Sequence, residues 1–445
     1  MYARDSPDTL PQKFLEQEKP YKKFEQFAEE ATTPKTSGGD RGEVDHLPKV
    51  LYLAIAFLLI FSAYNPVQNT VSVLFGQLGE DYLGIFAMVV VNQTYGIASL
   101  IVPIVGPKLP PRIVFACSSC CFVAFIYIGK LISSCAAEST SLICQSYFIY
   151  TMMMAASILT GFGLGFIWFT GSIYIQACCN ENNKGKMFGI FGAIQQSSNL
   201  TGAVLALVLL KWFGVSGFFF CQALIGLLAA VLFTRVKNPS EFSQQEKVAN
   251  QDPVTLRKLM HFMARPKMKG FYPLIMLSSY SFGFLVSNLS KMSANTVSHL
   301  PQDEANVKVS YVLVFFGVSE LIASLVCGTI FDKSKELAVK IMIGFAFLAS
   351  ILDCLGYNFS WYMMFFPIGF CFGFLDSGMQ VLLGALLSSR FTEKYEQFAI
   401  FRFVQGLYQA FFFLVCLFLE KISPQLMFVV HFAMAVYAWR SKKGY

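Results

Sequence analysis

The feature that most constrains this chain is a succession of apolar runs, each about as long as a helix that crosses a lipid bilayer. A span takes about 20 apolar residues. From Val50 onward the sequence supplies twelve such runs, at 50–75, 82–105, 111–133, 147–176, 186–210, 214–235, 270–294, 308–331, 337–357, 361–389, 396–420 and 423–440. Only 14% of the 445 residues are charged, against roughly a quarter in a soluble globule. The expectation is an all-α integral membrane protein. Lipid offers no hydrogen-bond partners, so a spanning backbone must satisfy its own N–H and C=O groups, which a helix does.

Loop charge sets the orientation. Lys108 with Arg112, Lys184 with Lys186, the basic set from Lys237 to Lys269, Lys333 with Lys335, Arg390 with Lys394, and Arg440 with Lys442 all fall on one side. The opposite side carries only the scattered Lys211, Lys291, Lys308 and Lys421. The positive-inside rule then places both termini in the cytosol, in the plasma membrane or an endomembrane. The net charge of +7 reflects those loops. No Lys/Arg stripe interleaves with exposed aromatics, so a nucleic-acid partner is not expected.

Residues 1–48 are polar, mixed in charge and without an apolar leader, and are expected to form a disordered cytosolic tail. The spans divide into an N-terminal six-helix bundle over 49–235 and a C-terminal one over 270–445, joined by a cytosolic linker at 236–269. Within that linker Leu256, Leu259, Met260 and Met263 share one helical face against Arg257, Lys258 and Arg265. This pattern fits an amphipathic helix at the membrane surface or an ordinary solvated linker. Of the twelve cysteines, Cys117, Cys120 and Cys121 lie inside an apolar run and read as small residues packing helix against helix, not as a metal site. Cys135 and Cys144 flank a short loop on the non-cytosolic side, where a disulfide could form.

The two bundles echo one another. "GFGLGFIWF" from Gly161 aligns with "GFCFGFLDS" from Gly369, and "FGIFGAIQ" from Phe188 aligns with "FAIFRFVQ" from Phe398. Two blocks, in order and at nearly one offset, indicate a duplicated unit. Twelve transmembrane helices in two six-helix pseudo-repeats, joined by a long cytosolic loop, describe the major facilitator fold. "GTIFDKSKE" agrees: Gly328, Asp332 and Lys333 resemble that superfamily's loop motif, in which a carboxylate and basic residues latch helix ends. The matching first-half loop, Gly106 to Arg112, keeps the glycine and the bases but lacks the acid.

Finer resemblances follow. Gly163, Gly165, Trp168, Gly171, Tyr174, Gly189, Phe191, Gln195, Ser197, Ser198 and Gly202 fit the fourth and fifth spans of the uncoordinated-ninety-three family. That family is a branch of the major facilitator superfamily named for an ion-channel regulatory protein. Asp376, Gln380, Leu383, Gly384, Phe398, Ala399, Arg402 and Gln405 fit its tenth and eleventh spans. Thr170, Ser377 and Gly406 depart from its pattern.

Charged and amide residues inside the spans are the candidate site. An intramembrane acid is costly and by default functional, which singles out Asp376 and Glu320; a structural hydrogen bond to a neighbouring helix is the alternative for Asp376. Counted at about 1.5 Å per residue from the cytosolic end, Glu320 lies about 16 Å deep, Asp376 about 20 Å and Arg402 about 9 Å. These depths predict an Arg402–Glu320 interaction that leaves Asp376 free. Asn65, Gln68 and Asn69 in the first span, Gln195 in the fifth and Gln380 in the tenth complete a polar set suited to a hydrated cavity or to plain helix–helix hydrogen bonding. Asn92, Gln93, Gln196, Asn199, Gln405 and Gln409 add further amides. The four histidines are scattered. No nucleotide-binding loop, catalytic triad or metal signature appears, so neither an enzyme nor a cofactor is expected. Two functions fit. The resemblance implies a regulator of another membrane protein, such as a potassium channel or a receptor it escorts. The polar interior equally suits a secondary transporter of a cation or small polar solute, with Asp376 or Glu320 coupling to protons.

Overall fold

The computed structural model describes residues 46–77, 82–106, 109–135, 144–180, 182–237, 239, 254–300, 302–359 and 361–441. The expected tail up to Asp45, Lys108, the middle of the linker, and the side chains of Asn69, Lys291 and Lys421 lie outside the described residues.

The described chain is almost entirely helical. The first half comprises α1 (Leu47–Gln77), α2 (Leu83–Val105), α3 (Pro111–Ser134), α4 (Ser146–Ala177) and α5 (Lys184–Thr234). The last of these is 51 residues long and is two spans, because the chain reverses at Gly214, whose φ of 63° suits a residue without a side chain. Its second arm returns to the start of α1, where the Tyr52 hydroxyl donates to the Leu232 carbonyl. The second half comprises α6 (Leu256–Ala264), α7 (Pro266–Phe284), a π-helical turn (Leu285–Leu289) that continues into α8 (Ser290–Thr296), then α9 (Gln302–Lys333), α10 (Lys335–Phe359), α11 (Phe365–Arg390), α12 (Lys394–Ile422) and α13 (Pro424–Ser441). Nine of the described helices are long and apolar enough to cross a membrane, with α5 counted once. Together with the α5 reversal, the interrupted α7–α8 span and α13, they make the twelve crossings. The face on which α1 begins and α13 ends is called proximal here, and the opposite face distal.

Each half has its own core. In the first, the Phe57 ring lies 5.0–5.9 Å from those of Phe61, Phe115, Trp168, Phe191 and Phe233. In the second, His431 of α13 is stacked between Tyr280 and Phe372. Its ring nitrogens are hydrogen-bonded to Ser281 and Ser350, each at 3.0 Å. Large apolar side chains such as Ile55, Leu207, Leu228 and Val429 remain exposed on the outside of the bundle, where lipid replaces water. Since lipid gives little hydrophobic drive to pack helices together, close approach of small residues carries more of the association. A Cβ on Gly161 would strike the Val91 carbonyl of α2. A Cβ on Gly373 would strike Ser319 and the Phe316 carbonyl of α9.

The halves meet along two helix pairs, α5 against α9 and α2 against α12. Both contacts are glycine-lined: Gly189 faces Ser324 and Gly328, and Gly96 faces Gly406. Cys135 and Cys144 are disulfide-bonded on the distal face. Two readings of the sequence need correction. Cys117 and Cys120 are exposed on the outer surface of α3; of the three, Cys121 is the one that packs inward, against Gly163. The short α6 does form, but it buries Leu259 and Phe262 and leaves Leu256 and Met260 exposed. Phe262 docks on Phe391 at 5.0 Å, so the aromatic side chain, not the Leu/Met stripe, decides which face the helix buries.

Candidate functional site

Where the halves face one another, α9 and α11 contribute Glu320 and Asp376, which are 0% and 6% exposed. Both are held by amides of α5. Asn199 Nδ2 donates to both Glu320 oxygens, at 3.0 and 2.9 Å. Gln196 Nε2 donates to Glu320 Oε1 at 3.2 Å and to Asp376 Oδ2 at 3.5 Å. The two carboxyl groups are joined by the Gln196 amide, which reaches an oxygen of each. The network reaches back to α1, since Asn65 Nδ2 donates to Asn199 Oδ1 at 2.6 Å. A chain of side chains thus runs Asn65–Asn199–Glu320, with Gln196 bridging to Asp376. Gln196 and Asn199 can serve both acids because i and i+3 positions share a helical face.

Beside the acids lies a cavity of about 30 Å³, enough for one or two waters. Its wall includes Trp168, Ser172, Gln195, Gln196, Gln380 and Arg402. Arg402 is 6% exposed. Its Nη1 donates to Gln380 Oε1 at 2.9 Å and to Gln405 Oε1 at 2.8 Å, and its Nη2 reaches Ser172 Oγ at 3.4 Å. The guanidinium carbon sits 4.9 Å from the centre of the Trp168 ring and 4.6 Å from that of Phe401, a cation–π arrangement. Tyr95 of α2 donates to the same Gln405 oxygen at 3.1 Å.

The Arg402–Glu320 interaction expected from depth does not form. Depth along a helix axis says nothing about which way a side chain points. Glu320 turns toward α5 and α11, whereas Arg402 turns toward α4 and α11 and is satisfied by amide and hydroxyl oxygens. Asp376 is correspondingly not free but shares Gln196 with Glu320. Of the other expected residues, Asn65 joins the acid network, Gln380 binds Arg402, and Gln195 lines the cavity. Gln68 is half-buried on α1. Ser172 and Trp168 are Arg402 partners that the sequence does not announce. Trp168 stood in a recognisable motif, but only packing shows that it carries a cation. A third buried acid, Asp353 on α10, is 2% exposed, and its Oδ1 has no hydrogen-bond partner.

The latch residues lie at the proximal face. Asp332, at the end of α9, accepts from the backbone N–H groups of Gly185 and Lys186, each at 2.7 Å. These are donors of the first turn of α5, which its own N-cap residue Asn183 leaves without a side-chain cap. The carboxylate also complements the positive end of the helix dipole. Gly328 approaches Gly185 so closely that a Cβ on either would collide with the other's carbonyl, while Lys333 stays exposed. Further cross-half contacts follow: Lys184 Nζ donates to the Ser388 carbonyl at 3.1 Å, and Gln397 Nε2 to Gln176 Oε1 at 3.0 Å. Nearby, Arg265 forms an ion pair with Glu393. Burial alone would raise the Glu393 carboxyl, but its hydrogen bond from Arg265 and the adjacent charge leave it below the usual glutamate value.

Residues 53–419 match the family described as Major Facilitator Superfamily. Protein unc-93 homolog A of Bos taurus is 22% identical over 416 residues, covering 81% of this chain and 85% of its own length. Among solved structures, a bacterial homologue of the iron transporter ferroportin in an outward-facing state superposes with a TM-score of 0.64 at 12% identity, covering 89% of this chain and 98% of the other. The proton:xylose symporter XylE also superposes with a TM-score of 0.64, at 15% identity over 88% of this chain and 94% of its own. At such identities the structural likeness speaks to the fold.

Proposed function

This chain belongs to the major facilitator superfamily, and on that premise we propose that it is a secondary transporter working by alternating access, with Glu320 and Asp376 as its proton-carrying pair. The observation that carries this reading is a buried acid pair of the second half held by amide donors of the first. Two adjacent carboxylates surrounded by neutral amides would be a costly double charge in the membrane, so the pair holds one proton between them, as close acid pairs do. Loss of that proton takes the pair from one negative charge to two, and parting the halves withdraws the Gln196 and Asn199 donors. Protonation and opening are therefore coupled.

The proximal face is the cytosolic one in this reading. The basic loops favour it, and the Cys135–Cys144 disulfide on the distal face suits an oxidising compartment. The cross-half contacts named above run from the proximal ends to mid-helix, so this conformation is shut toward the cytosol. The segment at 236–269 then serves as a cytosolic linker between two bundles, with α6 docked onto the second.

Purified protein in liposomes with a trapped pH dye tests the proposal. Proton movement that depends on an added small solute, and that falls more than tenfold in Asp376→Asn, is expected. No proton movement with any of a panel of small cations, sugars and carboxylates would overturn it.

A second reading, regulation or escort of another membrane protein such as a potassium channel, is favoured by the likeness to unc-93 homolog A. The exposed Leu256 and Met260 beside Arg257 and Lys258 on α6 would be the docking surface. Co-expression with a potassium channel that changes its current, together with silent liposomes, selects this reading.

A further inference from the structure

Arg402 is a buried cation without an acid. Among the described residues no carboxylate oxygen lies within ion-pair distance of it, although the acids Glu320 and Asp376 are joined through Gln196 to the same cavity. A guanidinium this buried ordinarily faces a carboxylate or phosphate, because neutral partners only partly replace lost hydration. Its hydrogen bonds are also one-sided. Both named contacts of Nη1 are strong, to Gln380 and Gln405, whereas Nη2 has a single long contact to Ser172 and Nε has no partner. Nε and Nη2 form one edge of the fork, the edge that takes two oxygens of a carboxylate side by side. Trp168, stacked on the guanidinium face, fixes the plane of that edge.

We propose that Arg402 is the anchor for a carboxylate group of a small organic solute, gripped by its Nε–Nη2 edge against Trp168 and Ser172. The proposal rests on the reading of this cavity, with room for only one or two waters here and widened when the halves part, as a solute site, and names the solute class as anionic, not cationic. It also gives the acid pair a partner in charge. An anion entering together with one proton on Glu320–Asp376 crosses with no net charge, whereas either alone would carry one.

The test uses purified full-length protein in detergent, with lactate as the probe and chloride at matched ionic strength as the control. Lactate is expected to raise the melting temperature of the wild type, since a ligand that binds only the folded state stabilises it; chloride is not. Arg402→Gln is expected to abolish the shift, and Arg402→Lys to weaken apparent affinity by about tenfold, because an ammonium lacks the fork. Gln380→Glu guards against a variant that merely fails to fold. It places a carboxylate against the guanidinium from within, so it should leave the unliganded protein at least as stable as the wild type and remove the response to lactate. A wild type unmoved by lactate, a shift equally large with chloride, or a lactate response that survives in both Arg402→Gln and Gln380→Glu overturns the proposal. Proton-coupled flux of cationic solutes alone, unchanged in Arg402→Gln, overturns it while leaving the transporter reading intact. Lactate binding without flux of any solute upholds it and removes that reading instead.

Discussion

Trp168 and Asp376 occupy the same place in the two halves, each seven residues beyond the glycine that opens its aligned block, Gly161 or Gly369. Gly192 and Arg402 are likewise equivalent, each four residues beyond Phe188 or Phe398. The packing glycines have stayed alike. Gly161 and Gly165 let α4 onto α2, and Gly369 and Gly373 let α11 onto α9. The chemistry has diverged: the buried acids and the buried guanidinium of the midline all belong to the second half, while the first supplies amides, a hydroxyl and an indole. The duplicated frame is a shared solution to packing in lipid. The difference between the copies is where the charge was put: amides of the first half hold Glu320 and Asp376, and Arg402, hydrogen-bonded mainly within its own half, stacks on Trp168 of the first.

The largest expected effect breaks the shared frame. Gly373→Val drives a branched side chain into Ser319 and a backbone carbonyl, and Gly161→Val does the same to the Val91 carbonyl. Neither backbone can yield cheaply, so each should cost on the order of 3 kcal/mol or more, seen as loss of the monodisperse peak in size-exclusion chromatography. Equal damage in both halves is the expected result; tolerance in one would show that the glycine pairs are not equivalent.

The next test sharpens the chemical difference. Asp376→Asn should keep the melting temperature within a few degrees and reduce proton-coupled flux more than tenfold, whereas Trp168→Phe at the equivalent place should reduce it about two- to threefold, since a smaller ring still stacks on a cation. Similar losses in the two would mean that the acid is not special.

A smaller effect concerns the latch, which exists as an acid only in the second-half loop. Asp332→Ala removes a carboxylate from the first turn of α5 and should cost about 1 kcal/mol. Because that contact joins the halves, the loss should also let the proximal face part more often. Maleimide labelling of a cysteine placed at Ser388 should then speed up severalfold. An unchanged labelling rate would make the contact a local cap and nothing more.

The smallest effect is at the surface. Glu393 is held below its ordinary value in the fold, so its contribution is present above about pH 4.3, the usual glutamate value, and is lost as pH falls through the lower folded value. Unfolding of the wild type should therefore steepen below that pH relative to Glu393→Gln. Because the pair is more than a third exposed, the difference should be slight.

Much of the frame was legible because apolar run length and loop charge report directly on spans, and the twelve segments agree with the helices to within a few residues at most ends. The reversal at Gly214 was readable as the gap between the fifth and sixth runs. The site was legible only in part. Intramembrane acids stand out in any sequence, but partners depend on helix rotation, which composition does not encode. That is why helix depth pairs Arg402 with Glu320, although it faces Gln380, Gln405 and Trp168. His431 and Asp353 stayed unnoticed because single polar residues on separate helices carry no spacing signature, although the fold buries both within the second half.

Asp332 grips main chain, not a side chain, on the far side of the boundary. Any residue at 186 other than proline still offers its N–H group, whereas a side chain at Gly185 would strike both the Gly328 carbonyl and the Asp332 carboxylate that makes the clasp. Drift can therefore loosen this clasp at two positions, by altering the acid or by adding a side chain at 185, while position 186 tolerates every residue that keeps an N–H group.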